Sequence, residues 1–163
     1  MRRREKAPRL GTGEKVLAWV DAEDGRTLAG TRDALHLLPE EQRIPWEQVQ
    51  AAEWDRDTST LTVSEVGEWG RPRPEHSFTL DAPGRLLELV RERVTASVVL
   101  QREAPVRGRR GVRVIARRAP AGDRALRWIY EYDDGLDPDD PAVRDTLRAL
   151  LARAHEEVGG DLV

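Results

Sequence analysis

The chain has 163 residues, 39% hydrophobic and 35% charged, with a formal net charge of only −3. An apolar share of that size supports a core, and near-balanced charge excludes the composition of a disordered chain. Cysteine is absent, which excludes disulfides, thiolate zinc sites and cysteine nucleophiles and suits a reducing compartment.

The length fits one domain, or one small domain with an appendage. Residues 1–13 carry charge, Gly and Pro without periodicity and read as a flexible arm. Met1-Arg2-Arg3-Arg4-Glu5-Lys6 is followed by no apolar stretch of the kind a signal peptide needs. No apolar run approaches the roughly 20 residues of a membrane span, so a soluble, cytoplasmic protein without membrane insertion is expected.

Lys15 to Val20 suits a strand, Asp24-Gly25 is a strong hairpin signal, and Thr27 to Thr31 is the expected return. A further strand is expected at Ala34 to Leu38. Ile44-Pro45-Trp46 should be a short piece on an edge, because Pro45 cannot donate to a ladder. Val49 to Trp54, Leu61 to Val63 and His76 to Leu80 complete the series, with a Gly-, Pro- and Arg-rich loop at 67–74.

A helix is expected from about Ala82 to Ala96, with Asp81 as N-cap and Pro83 in the first turn. Leu86, Leu87, Val90, Val94 and Val98 recur at helical spacing as one apolar stripe, so one side must lie on something. The period then returns to two. Val98 to Leu100, Val112 to Ala116 and Leu126 to Tyr132 read as three strands, and Leu126, Trp128, Tyr130 and Tyr132 share one face. A last helix should run from about Pro141 to Val158. Asp140 would cap it, Gly159 would end it, and Val143, Leu147, Leu150, Leu151, Ala154 and Val158 would be its buried side.

Many short strands followed by one amphipathic helix is the order of a pleckstrin-homology-like barrel. Leu28-Ala29-Gly30-Thr31-Arg32-Asp33-Ala34-Leu35-His36-Leu37-Leu38 resembles the second and third strands of the bacterial version. Arg43-Ile44-Pro45-Trp46-Glu47-Gln48-Val49 resembles the segment that follows. The resemblance implies an α+β protein in which residues 14–96 form an antiparallel β-barrel capped by a helix. Residues 97–163 would add a three-stranded β-meander and a C-terminal helix packed on it. It further implies a docking platform for a protein or peptide, or in some members for phosphoinositides. Lipid-binding members place basic residues in the first hairpin; here Asp21-Ala22-Glu23-Asp24-Gly25-Arg26 is acidic and would repel an anionic headgroup.

Two charged stretches and one loop are the candidate sites. Glu131, Asp133, Asp134, Asp137, Asp139 and Asp140 match no EF-hand spacing and read as turns and a helix cap rather than a metal site. Arg102, Arg107, Arg109, Arg110, Arg113, Arg117 and Arg118 could meet nucleic-acid phosphates. The segment lacks stacking aromatics, and the chain's pI of about 5.7 is low for a dedicated nucleic-acid binder. Trp69, with Arg71 and Arg73, stands in a Gly/Pro loop with the composition of an interface anchor. His36, His76 and His155 lie in separate elements without metal spacing, and no nucleophile elbow or phosphate loop is present. The expectation is a non-enzymatic binding module without cofactor. Its rivals are nucleic-acid binding through the hairpin within Arg102–Arg118 and self-association through an exposed strand edge of the meander.

Overall fold

A computed structural model describes residues 6–67, 73–119 and 125–159. It is mixed α+β, with three antiparallel sheets and two helices among the described residues, and it divides into two compact units. One comprises Met1–Ser97 with Ala119–Arg124, the other Val98–Arg118 with Ala125–Val163.

The first unit begins with a turn in which Gly13 N–H donates to Leu10 O at 3.1 Å, and the strand expected from Lys15 starts at Ala18. Strands β1 (Ala18–Asp21), β2 (Thr27–Gly30), β3 (Ala34–Leu38) and β4 (Gln42–Pro45) form one sheet in that order. Pro45 ends the edge strand, where its missing N–H costs no ladder bond. A single 3-10 turn at Trp46–Gln48 leads into β5 (Val49–Asp55), β6 (Thr60–Glu65) and β7 (Glu75–Thr79), which form a second sheet. The strands do not form one closed barrel ladder; they pair as four and three. A backbone bond from Glu23 N–H to Thr79 O at 3.0 Å joins the β1–β2 hairpin to β7, and Val66 N–H to Gln48 O at 2.8 Å extends the β5–β6 pairing.

Period-two alternation puts Leu28, Leu35, Ile44, Leu61, Val63 and Phe78 into one core with Trp46 and Val49. Helix α1 (Gly84–Ser97) contributes Leu86, Leu89 and Val90, each worth roughly 1.5–3 kcal/mol when removed from water. Its start departs from expectation. Asp81 is exposed and lies three residues outside the helix. Pro83 excludes Ala82 from the helical region, so the helix opens only once the proline is passed. The helix packs on β1, β2, the 3-10 turn and β5. Gly30 makes this approach possible: a Cβ there would lie 2.6 Å from Leu89 Cδ2.

The second unit is a sheet of β8 (Val98–Arg107), β9 (Arg110–Arg118) and β10 (Leu126–Tyr132) in the order β10-β9-β8. β8 runs seven residues past the expected Leu100. Leu100, Ala104 and Val106 alternate inward, which the charged Arg102 and Glu103 between them obscured. Helix α2 (Pro141–Gly159) starts where its cap was expected, with Ala142 N–H donating to Asp140 Oδ1 at 2.9 Å. Val143, Leu150 and Ala154 meet Val112 and Val114, and Leu147 and Leu151 lie half-buried beside them.

Candidate functional site

The densest charged network lies in the first unit and centres on Glu14. Thr31 Oγ1 accepts from the backbone N–H of Asp33 and Ala34, closing the turn between β2 and β3. The same hydroxyl donates to Glu14 Oε1 at 2.9 Å. Arg43 Nε donates to Glu14 Oε2 at 3.0 Å, and its second nitrogen reaches Oε1 at 3.3 Å. His36, buried on β3, holds Nε2 3.1 Å from Glu14 Oε2, within ion-pair reach but not aligned as a hydrogen bond. Burial pushes the Glu14 carboxyl up, but hydrogen bonds from Arg43, Thr12 and Thr31, with the Arg43 charge, carry it down to about 2. Burial, with a smaller effect of Arg43, depresses His36 against the opposing pull of Glu14. Both carboxylate oxygens are engaged, so the cluster clamps the segment before β1 onto β2, β3 and β4 rather than presenting a base to a substrate.

The acidic first hairpin uses its cation internally. Arg26 Nε donates to Asp24 Oδ2 at 2.6 Å, its terminal nitrogen donates to Ser77 O at 2.9 Å, and the guanidinium lies 4.3 Å from the Phe78 ring centroid. An anionic headgroup would meet Glu23 and Asp24 there and would compete with Asp24 for Arg26.

The three arginines predicted for binding in the second unit share one hairpin tip, because Arg107 pairs directly with Arg110 and Gly108 takes φ of +58°. Arg107 bonds Asp140 Oδ2 at 2.6 Å, and Arg110 lies against the backbone of Gly135. Arg109 is exposed at the tip. Arg102 is paired with Glu157 at 2.6 Å, and Arg113 with Glu131 at 3.1 Å and Glu103 at 3.6 Å. Arg117 is buried, and burial lowers its pKa. Three of the seven arginines, Arg102, Arg107 and Arg113, are thus ion-paired within the unit. Trp69 and Arg71 lie outside the described residues, and Arg73 is exposed just before β7.

The acidic stretch is used in turns and caps. Asp133 Oδ2 accepts from Gly111 N–H at 2.8 Å, Asp137 Oδ1 from Asp139 N–H at 2.9 Å, and Asp140 caps α2. Among the described residues no group of three or more His, Asp or Glu is arranged to hold a metal ion. Likewise no described helix is long and apolar enough to cross a membrane.

The two edges of the second sheet differ. β8 is bulged near both ends, between Val98 and Leu100 and between Pro105 and Arg107, and it carries Pro105 and exposed Arg102 and Glu103. These are devices that keep an edge from accepting another strand. β10 has neither bulge nor proline, although Arg127 is exposed on it. It pairs with β9 in unbroken register from Leu126↔Arg118 to Tyr132↔Val112. Helix α2 lies over β8 and β9 and reaches β10 through His155, whose ring centroid is 4.1 Å from that of Trp128. The even-numbered face of β10 is thus an aromatic strip, with Trp128 and Tyr132 half-buried and Tyr130 42% exposed. Sequence alternation placed these side chains on one face. That the helix would leave them partly uncovered was not legible from it.

The chain matches no family model, no curated protein and no solved structure.

Proposed function

We propose that this is a non-enzymatic cytoplasmic docking protein that takes an extended segment of a protein or peptide as an added strand along β10. Main-chain hydrogen bonds would supply affinity, and the Trp128–Tyr130–Tyr132 strip would read alternate side chains of the guest. The observation that carries this reading is the asymmetry of the sheet: β8 is bulged and proline-bearing, whereas β10 is unbulged, proline-free and aromatic on one face. A pleckstrin-homology-like character for residues 14–96 is supported by four strands, three strands and an amphipathic helix in that order. A docking role suits such a module, while the acidic hairpin with its engaged Arg26 disfavours phosphoinositides. Nucleic-acid binding is disfavoured by the internal pairing of Arg102, Arg107 and Arg113.

The test is selection of extended peptides from a displayed library on the full-length chain. Hydrogen exchange is then measured with a selected peptide bound. Amides of residues 126–132 should gain protection, and Tyr130→Asp should weaken binding by about tenfold or more, as expected for removal of an aromatic anchor. Binders indifferent to that substitution, with protection confined to the Arg107–Arg110 tip, would overturn the reading.

A further inference from the structure

We infer that the strand taken by this edge is the β10 of a second copy, giving a symmetric dimer with a continuous six-stranded sheet. The inference rests on the edge reading above and names its partner. Its basis is the order of residues along the strand: Leu126, Arg127, Trp128, Ile129, Tyr130, Glu131, Tyr132. The sequence is self-complementary about Ile129. In an antiparallel pairing centred there, Ile129 faces its own copy, Trp128 faces Tyr130, Arg127 faces Glu131, and Leu126 faces Tyr132. Every opposed pair is then apolar with apolar or cation with anion, the combinations that stabilise neighbouring strands.

Other registers lose this match. Parallel pairing sets Arg127 against Arg127 and Glu131 against Glu131. Moving the centre to Trp128 or Tyr130 places Arg127 or Glu131 opposite Ile129. A single register of one orientation is therefore favoured, as a closed two-fold interface requires. Glu131 already accepts from Arg113, and both Glu131 and Arg127 are engaged within their own chain, so the charged residues serve here to set register by keeping like charges apart rather than to add an ion pair.

The two-fold axis stands perpendicular to the sheet, so the aromatic strips of both copies fall on the same face, between the two α2 helices. This accounts for the placement of α2 over β8 and β9 rather than over β10. The dimer would cover Tyr130, the most exposed aromatic of the strip. Bulges and Pro105 on β8 keep the opposite edge from pairing, so the assembly closes at two chains rather than extending into a filament.

Sedimentation equilibrium on the full-length chain tests this across a concentration series. The mass should rise from one chain of 18.4 kDa toward two. Tyr130→Asp, at an exposed position, should raise the dissociation constant about tenfold or more, since symmetry removes the Trp128–Tyr130 pair twice. The chain has no cysteine, so register can be read by oxidation. Trp128→Cys mixed with Tyr130→Cys should give a mixed disulfide faster than either variant alone gives its own. A chain that is monomeric throughout, a dimer unaffected by Tyr130→Asp, or no preference for the mixed disulfide would overturn the inference. A monomeric chain that still captures selected peptides through Tyr130 would overturn self-pairing alone and leave the edge reading standing.

Discussion

Replacing Glu14 with glutamine removes a charge while keeping the shape of the side chain, and the structure fixes how the cost depends on pH. Glu14 is held at about 2 in the folded chain against an ordinary value of 4.5. A carboxyl lowered by folding contributes stability above its unfolded value and loses it as pH falls through the folded one. The interval corresponds to an upper bound of about 3.4 kcal/mol at neutral pH. Glu14 and Arg43 keep 17% and 38% of their side-chain surface exposed, and solvent screening reduces the figure to about 1–2 kcal/mol. By pH 3 more than half of it should be gone. His36, depressed by burial, also makes the fold less stable in acid, because below about 6.5 the unfolded imidazole takes a proton more readily than the folded one. In the variant that slope steepens, because the opposing pull of Glu14 on His36 is gone, while the Glu14 slope below 4.5 disappears. Urea titrations at pH 7, 5 and 3, followed by the fluorescence of the chain's five tryptophans, would compare the two proteins. Glu14→Gln should cost about 1–2 kcal/mol at pH 7, and the two curves should converge toward pH 3. An equal cost at all three pH values, or none at pH 7, would refute the reasoning.

Trp46→Phe removes the donor of the buried bond from Nε1 to Thr31 O at 2.9 Å and leaves a small void. A loss of about 2–3 kcal/mol by chemical denaturation is expected. Gly30→Val drives a branched side chain into Leu89 and Leu86 of α1. It should cost about 1–3 kcal/mol in thermal melts, and Gly30→Ala less, because the end of Leu89 can rotate away. Asp140→Ala removes both the cap of α2 and the Arg107 ion pair. About 1–2 kcal/mol should be lost, with faster hydrogen exchange in the first turn of α2, and Asp140→Asn should restore most of the cap.

Local chemistry made much of the architecture readable before any coordinates. Asp140-Pro141 and Gly159 bracket α2 because capping and the lack of a proline N–H are properties of neighbouring residues. Alternation gave the shared face of Trp128, Tyr130 and Tyr132 because the pleat has a period of two. The same logic failed at Asp81, where a good capping residue was overruled by Pro83 two positions on. It failed again in β8, where Arg102, Glu103 and Pro105 concealed an edge strand.

What the chain alone determined is therefore the identity and facing of most elements, since propensity, capping and periodicity act over a few residues. Only the tertiary structure decided that the first seven strands pair as four and three. Only it decided that Glu14 meets Arg43 and His36 across 29 and 22 positions of sequence. It alone decided that α2 lies over β8 and β9, leaving the aromatic side of β10 partly open. Those outcomes depend on which surfaces meet at long range, and no local pattern encodes the distance between them.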